Sequence, residues 1–408
     1  MLRLPRLEGI GINKRDFTLV FTLLFNVLTW SYLIMKTMSS LAFDLSFIYS
    51  FQAIFAIATL GSGMAGSFLS EKIGRMRLLY WWLVLGLVSS GLLALASNAA
   101  SAYFSMLYIV LGIAFGIGMP SCLAYLADHT HVENRGRVSA IIFLASNLAV
   151  APFALMFTEF SLTMGAMVIM AWRGLGLLVF VLLKRPDEEK KMSEPSKNQS
   201  FGKVVHDRSF TLYLFPWFMF NLIDIFERPI LNRIGAEFLE FSKMVEPLVA
   251  ILSIMLGGLL ADRIGRKRVV IYGFVSLGVA YAVIGLANQN PLSWYFYMLI
   301  DGVAYGILWL IFLLVMWGDL SEHGIREKYY VIGTTPFLIA PVLPVIMAPL
   351  STMVEAGGVL SLASFFLFLA VLPLMYAPET LPEKKIELRR LRGYLEQAKK
   401  LKDKYPGK

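Results

Sequence analysis

Apolar runs long enough to cross a bilayer recur along almost the whole chain, and this constrains the fold more than any other feature. A hydrocarbon core about 30 Å thick needs about 20 helical residues at about 1.5 Å rise. Runs of that kind lie near 17–39, 45–69, 78–97, 102–127, 138–158, 160–183, 209–234, 242–261, 269–288, 293–318, 329–353 and 358–376. The split between the fifth and sixth rests on Glu159 and the small residues around it. Twelve spans, short loops and two tails use up the 408 residues, leaving no separate soluble domain. Only 16% of residues are charged, against roughly 25% in soluble proteins. A soluble enzyme, a disordered scaffold and a secreted disulfide module are excluded on that ground. Cys122 is the single cysteine, so neither an internal disulfide nor a cysteine cluster for a metal can form. The expected fold is an all-α membrane protein.

The net charge of +9 would suit a nucleic-acid binder, but its placement says otherwise. Of 37 Lys and Arg residues, 32 fall in the N-terminal segment, the loops after even-numbered spans and the C-terminal tail. The positive-inside rule then puts both termini and those loops in the cytoplasm. The expected layout is a six-helix bundle over 1–183, a cytoplasmic linker over 184–208, a second bundle over 209–376 and a basic tail over 377–408. The tail reads as a helix lying on the inner leaflet against lipid headgroups. No cleavage-site pattern follows the first run, which is expected to be retained.

The two halves resemble each other. FLSEKIGRMR (68–77) aligns with LLADRIGRKR (259–268), LGIAFGI (111–117) with DGVAYGI (301–307), and Asp128 with Arg135 aligns with Asp319 and Arg326, at offsets of 190 or 191. With six spans per half the repeats share one orientation, related by an axis along the membrane normal. Such a repeat predicts a cavity between two bundles at mid-membrane. The motif G-x-x-x-D-x-x-G-R-[RK] stands intact as Gly258, Asp262, Gly265, Arg266 and Lys267. Its first copy has Ser67, Glu71 and Met76 at the departing positions. Two copies after even-numbered spans resemble the signature of the Major Facilitator Superfamily. Asp128, Arg135, Gly136 and Arg137 with Pro378-Glu379-Thr380 are similar, more weakly, to its sugar-porter branch. The seventh span lacks that branch's glutamine-rich pattern.

The resemblance implies two pseudo-symmetric bundles and a cytoplasmic latch that closes when the cavity faces outward. A carboxylate and an arginine in a tight turn can pair with each other, with a helix end and with the next loop. Glu71, Gly74, Arg75, Asp128 and Arg135 would form one cluster, and Asp262, Gly265, Arg266, Asp319 and Arg326 the other. The plain alternative is topological charge capping helix ends.

Charges inside a span are costly, which makes each a candidate for function. The seventh span carries Asn221, Asp224, Glu227 and Arg228, with Asn221, Asp224 and Arg228 on one helical face. In the tenth, Asp301 leads Tyr305 and Trp309 at four-residue spacing. Asn26 and Trp30 in the first span occupy the repeat positions around Asn221 and Asp224, and Asn147 is a polar group in the fifth. These nine residues (Glu227 apart) are the expected solute contacts, and Asp224, Glu227 and Asp301 the candidates for proton coupling. Lys36 and Glu246 read as snorkelling or outer-gate residues. Arg173, in mid-span, is either paired or lining the cavity. His129 and His131 do not make a metal site, and no metal or cofactor is expected.

The sequence thus predicts a monomeric secondary transporter of the cell membrane. It would move a small organic solute by alternating access, with protons as the coupling ion in symport. No Walker loop, nucleophile elbow or dinucleotide glycine pattern is present, so neither an enzyme nor a nucleotide-driven pump is expected. The alternatives are efflux antiport of a drug or metabolite and a non-transporting solute sensor on the same fold.

Overall fold

The computed structural model describes residues 12–39, 45–98, 101–158, 160–184, 200–234, 238–322, 324–340, 356–382 and 391. Most of the linker, the tail and the second half of the eleventh run therefore lie outside the described residues, as do the side chains of Glu227 and Arg228. The described chain is helical, without strands.

The first part contributes α1 (Lys14–Ser39), α2 (Leu45–Ile73), α3 (Arg75–Ala94), α4 (Ser101–Gly116), α5 (Met119–His129), α6 (Arg135–Thr158) and α7 (Leu162–Leu183). After the short α8 (Phe201–His206) come α9 (Arg208–Ile234), α10 (Leu239–Ile264), α11 (Arg266–Leu286), α12 (Pro291–Leu310), α13 (Met316–Leu320), α14 (Arg326–Ile339) and α15 (Ala356–Tyr376). Nine helical stretches among the described residues are long and apolar enough to cross a membrane. Their outward residues fit that solvent. Met244, Leu248, Leu252, Leu256 and Leu260 form an exposed apolar stripe at every fourth position of α10, a surface that lipid satisfies and water does not.

Two predicted spans differ from straight helices. The fourth is broken into α4 and α5 at Gly118. There Trp82 presses onto the backbone so closely that a Cβ would collide with its ring, and Pro120 withholds a helix-continuing N–H. The tenth ends in a π-helical turn, Ile311–Val315, before α13. Turns of this kind shift the register of the faces beyond them and recur at functional sites. The fifth and sixth spans do separate near Glu159: α6 stops at Thr158, and Ser161 caps α7 by accepting from the Met164 N–H at 3.3 Å.

Within the first part α2 packs on α4, α3 on α7, and α1 on α6 and α7. Within the second, α10 packs on α12, and α11 on α12 and α15. Helices also meet across the two parts in matched fashion: α6 against α10, and α2 with α5 against α14. Large aromatics fill both interiors, with Trp30, Trp82, Trp217 and Trp317 all fully buried.

Candidate functional site

The two parts enclose a cavity of about 390 Å³. Its wall takes residues from α1, α2, α4, α5 and α6 on one side and from the α12–α13 region and α14 on the other. Apolar side chains dominate, with the rings of Tyr32, Phe55, Phe115, Phe143, Trp309, Tyr330 and Phe337 set among aliphatic residues. The polar groups are few: Ser31, Gln52, Thr59, Ser146, Asn147 and Thr334 among them. Among the described residues no side chain with a formal charge lines it. Asn147 spends its amide N–H on the Phe143 carbonyl at 2.8 Å, so its carbonyl oxygen remains as an acceptor. Trp309 stacks on Tyr305, centroids 4.7 Å apart, and its buried Nε1 has no hydrogen-bond partner among the described residues. Met35 and Gln52 carry the cavity toward the ends of α1 and α2 remote from the basic loops.

At the basic face two ionic clusters cross between the parts. In the second, Asp319 receives Arg135 from the opposite part, and Arg266 Nε at 2.9 Å. Asp262 pairs with Arg266 at 2.9 Å and sits on the N-terminus of α6. There it accepts the backbone N–H groups of Gly136 at 3.0 Å and Arg137 at 2.9 Å, and the Arg137 Nε at 3.2 Å. A carboxylate at a helix N-terminus answers both the free N–H groups and the dipole. Glu379 of the Pro-Glu-Thr segment closes the cluster, accepting the Arg266 N–H at 2.8 Å, and Thr380 donates to Asp319 at 3.3 Å.

In the first cluster Asp128 receives Arg75 and, from the opposite part, Arg326. Arg75 also pairs with Glu327 at 2.6 Å, and Ser70 donates to the same carboxylate at 3.2 Å. Lys328 reaches Glu71 at 2.7 Å while lying over the rings of Phe68 and Phe201. Burial lowers the pKa of Arg326 from its ordinary value; Arg75 adds to that lowering, while Tyr330 and Glu327 oppose it. Among the described pairs each cluster joins three acids to three bases. Gly74 (φ 88°) and Gly265 (φ 106°) make the one-residue turns that bring the arginines inward, a backbone region open to glycine at little cost.

This arrangement corrects one expectation. Arg135 and Arg326 do not join the clusters of their own halves; they exchange. The reason is packing: α6 and α14 begin directly over the opposite motif turns, so each arginine's nearest acid belongs to the other part. Arg137, Glu327, Lys328, Glu379 and Ser70 were absent from the expected set. The offset of 191 that joins Arg135 to Arg326 also joins Arg137 to Lys328, and carrying it two residues further would have found both.

The intramembrane residues are less gathered than expected. Asn147 and Trp309 line the cavity, and Tyr305 supports Trp309 from behind while also touching Phe220, centroids 5.8 Å apart. Trp30 lies one layer back, stacked on cavity-lining Phe115 at 6.4 Å. Asn26 faces the interior of the first part, bonded to Arg173 at 2.8 Å. Asn221 is buried and donates to the Trp217 carbonyl at 2.7 Å. Asp224 and Asp301 are half-buried and do not line this cavity.

Comparison with known proteins accords with this architecture. The human organic anion transporter MFSD10 (TETRAN) superposes with a TM-score of 0.71 at 16% identity, over 88% of this chain and 99% of its own. The proton:xylose symporter XylE, bound to 6-bromo-6-deoxy-D-glucose, gives 0.68 at 17% over 90% and 96%. The E. coli fucose:proton symporter FucP gives 0.71 at 12% over 89% and 98%. At these identities the likeness is one of fold. No curated protein sequence matches the chain. The Major Facilitator Superfamily profile matches residues 16–242 and 244–402. The chain is thus a multi-pass membrane protein with a transporter's fold, and it belongs to the Major Facilitator Superfamily.

Proposed function

We propose that this protein is a secondary active transporter of the cell membrane that moves a small organic solute by alternating access. The observation that carries the reading is a cavity walled by both parts of the chain, closed toward the basic face by two clusters that cross between them. In this reading the twelve runs form two six-helix bundles, over 1–183 and 209–376, joined by the linker 184–208. Both termini and the basic tail (377–408) are cytoplasmic, and the protein works as a monomer. The closed face is then the cytoplasmic one, and the cavity belongs to the outward-facing state. The ten motif residues, with Arg137, Glu327, Lys328 and Glu379, act as the latch. Opening to the cytoplasm breaks the crossing pairs together, and solute binding must supply the differential energy for it.

The wall's rings and sparse polar groups suit a solute with an apolar body and a few hydrogen-bonding groups. Asn147 offers an acceptor and Trp309 a donor. Proton-coupled symport is the favoured mode, with Asp224, Glu227 and Asp301 as the coupling acids. These enter the solute path only if the bundles rock, since two of them lie outside the cavity wall in this conformation and the side chain of the third is undescribed. Efflux antiport is the second reading, favoured by an apolar wall whose described residues carry no formal charge.

Counterflow into proteoliposomes tests transport itself. Labelled solute from a panel of sugars, organic acids, amino acids and cationic drugs should exchange against unlabelled solute inside. Accumulation driven by an imposed proton gradient, lost with protonophore and in Asp224→Asn and Asp301→Asn, is the result expected for symport. Undiminished accumulation in both variants would remove these acids from coupling. Binding without exchange would make the protein a sensor.

A further inference from the structure

The polar groups of the cavity wall change character with depth. At about 1.5 Å per residue, Thr59, Ser146, Asn147 and Thr334 stand about 12–21 Å from the basic-face ends of α2, α6 and α14, and Tyr32 and Gln52 about 27–32 Å from those of α1 and α2. The three deeper hydroxyls have each given away their proton. Thr59 donates to the Gly112 carbonyl at 3.3 Å, Ser146 to that of Ile142 at 2.8 Å and Thr334 to that of Tyr330 at 2.7 Å. Tyr330, deeper still, donates to the Leu314 carbonyl at 2.9 Å. A carbonyl can only accept, so chemistry fixes these directions. A hydroxyl has one hydrogen and two lone pairs, and lone pairs are what remain for a solute.

Asn147 adds its Oδ1 to these acceptors, since its nitrogen is committed to the Phe143 carbonyl at 2.8 Å. Among the described side chains of this deeper wall the N–H groups left are two, the second amide hydrogen of Asn147 and the buried Nε1–H of Trp309. The Tyr32 hydroxyl and the Gln52 amide bring further donors only at the end remote from the basic face. An anionic head in the deeper part would therefore set its oxygens against oxygen lone pairs. An ammonium head brings up to three N–H groups to the same oxygens, and the rings of the wall favour the same sign of charge. Hydrogen bonds with one ionised partner are the stronger kind.

We propose that this cavity selects an amphipathic primary amine, bound as its ammonium, whose N–H groups donate to the lone pairs of Ser146, Thr334, Thr59 and Asn147. The head enters first and the apolar body lies against the rings and aliphatic side chains of the wall. The inference names the solute class for the transport reading above and rests on that reading.

The test uses three probes on one naphthalene body: 2-naphthylmethylammonium, its N,N,N-trimethyl derivative and 2-naphthoate. Equilibrium dialysis against the full chain in nanodiscs of zwitterionic lipid reads their binding, with empty nanodiscs subtracted. Wild type should hold the primary ammonium about tenfold or more tighter than the carboxylate. It should also hold it several-fold tighter than the trimethyl form, which keeps the charge and has no N–H. Ser146→Ala and Thr334→Val should each weaken the primary ammonium about two- to tenfold and leave the trimethyl form unmoved. The comparison of probes on wild type stands whether or not a variant folds. A carboxylate or trimethyl form held as tightly as the primary ammonium overturns the proposal, as does binding of no probe or an equal loss of both amines in the folded variants. Counterflow of the labelled primary ammonium into proteoliposomes separates the two readings. Exchange is expected; the predicted order of binding without exchange would remove transport and leave the selectivity of the cavity standing.

Discussion

The two ionic clusters of the basic face are built from one motif and differ in how far water is kept out. In the second, Asp262, Arg266, Asp319 and Arg135 have side chains at most 1% exposed, and only Arg137 at its rim, at 34%, meets water among the paired residues. In the first, Arg75 and Asp128 are 10% and 12% exposed and Glu71 is 25%. The departures from the motif account for much of this. Asp262 is short enough to cap the α6 N-terminus through two backbone N–H groups, and Gly136 leaves space for it. At the repeat-related positions stand Glu71 and Glu327. Glu71 is paired with the Lys328 side chain, and Glu327 fills the place that glycine leaves open in the other cluster. The comparison teaches that a motif can preserve pairing while one copy becomes structural and its twin stays hydrated and easier to break.

The largest test of that difference removes the central acid of each cluster. Asp319→Asn strands Arg135 and leaves Arg266 with Asp262 alone in a dry site, and should destabilise the closed protein by about 3–5 kcal/mol, the usual cost of breaking a buried pair. Asp128→Asn, beside water, should cost clearly less. Apparent melting temperatures in one detergent measure both, and equal losses would erase the distinction. Next, Asp262→Asn loses a charged helix cap and a buried pair and should cost about 2–3 kcal/mol, with a smaller loss for Glu71→Gln, whose carboxylate is a quarter exposed.

A third comparison concerns the turns. Gly74→Ala and Gly265→Ala both force alanine into an extended positive-φ conformation, at about 1–3 kcal/mol each. Gly265→Ala should exceed its twin, since its Cβ would also meet the Glu379 carboxylate, whereas nothing lies within 4 Å at Gly74. Salt gives the smallest effect. Raising it from 0.1 to 1 M, which shortens the Debye length from about 10 to about 3 Å, should shrink the Glu71→Gln difference and leave that of Asp262→Asn intact.

Much of this was legible in the sequence because hydropathy and repeats are local signals. The apolar runs lie within a few residues of the helices that could be described, and the motif copies mark the turns at Gly74 and Gly265. The exchange of Arg135 and Arg326 was not legible, because which acid an arginine reaches depends on how helices far apart in sequence are stacked. The cavity was read least well. Charge inside a span draws attention to Asp224 and Asp301, but the wall is made by residues such as Phe115, Phe143 and Gln52, which in sequence look like any other membrane residues. Arg173 stood out as a mid-span charge. Its surroundings did not, since Asn26 and Trp30 come from α1 and Trp82 from α3, both far from α7 in sequence.

The central claim is that these clusters hold the basic face shut. It is tested most directly by electron–electron distance measurement between spin labels on the exposed positions Lys72, just before the Gly74 turn, and Arg268, just after the Gly265 turn. Wild type should give one short-distance population, and Asp319→Asn should add a longer one as the face opens. Distance distributions that coincide in the two folded proteins would contradict the account.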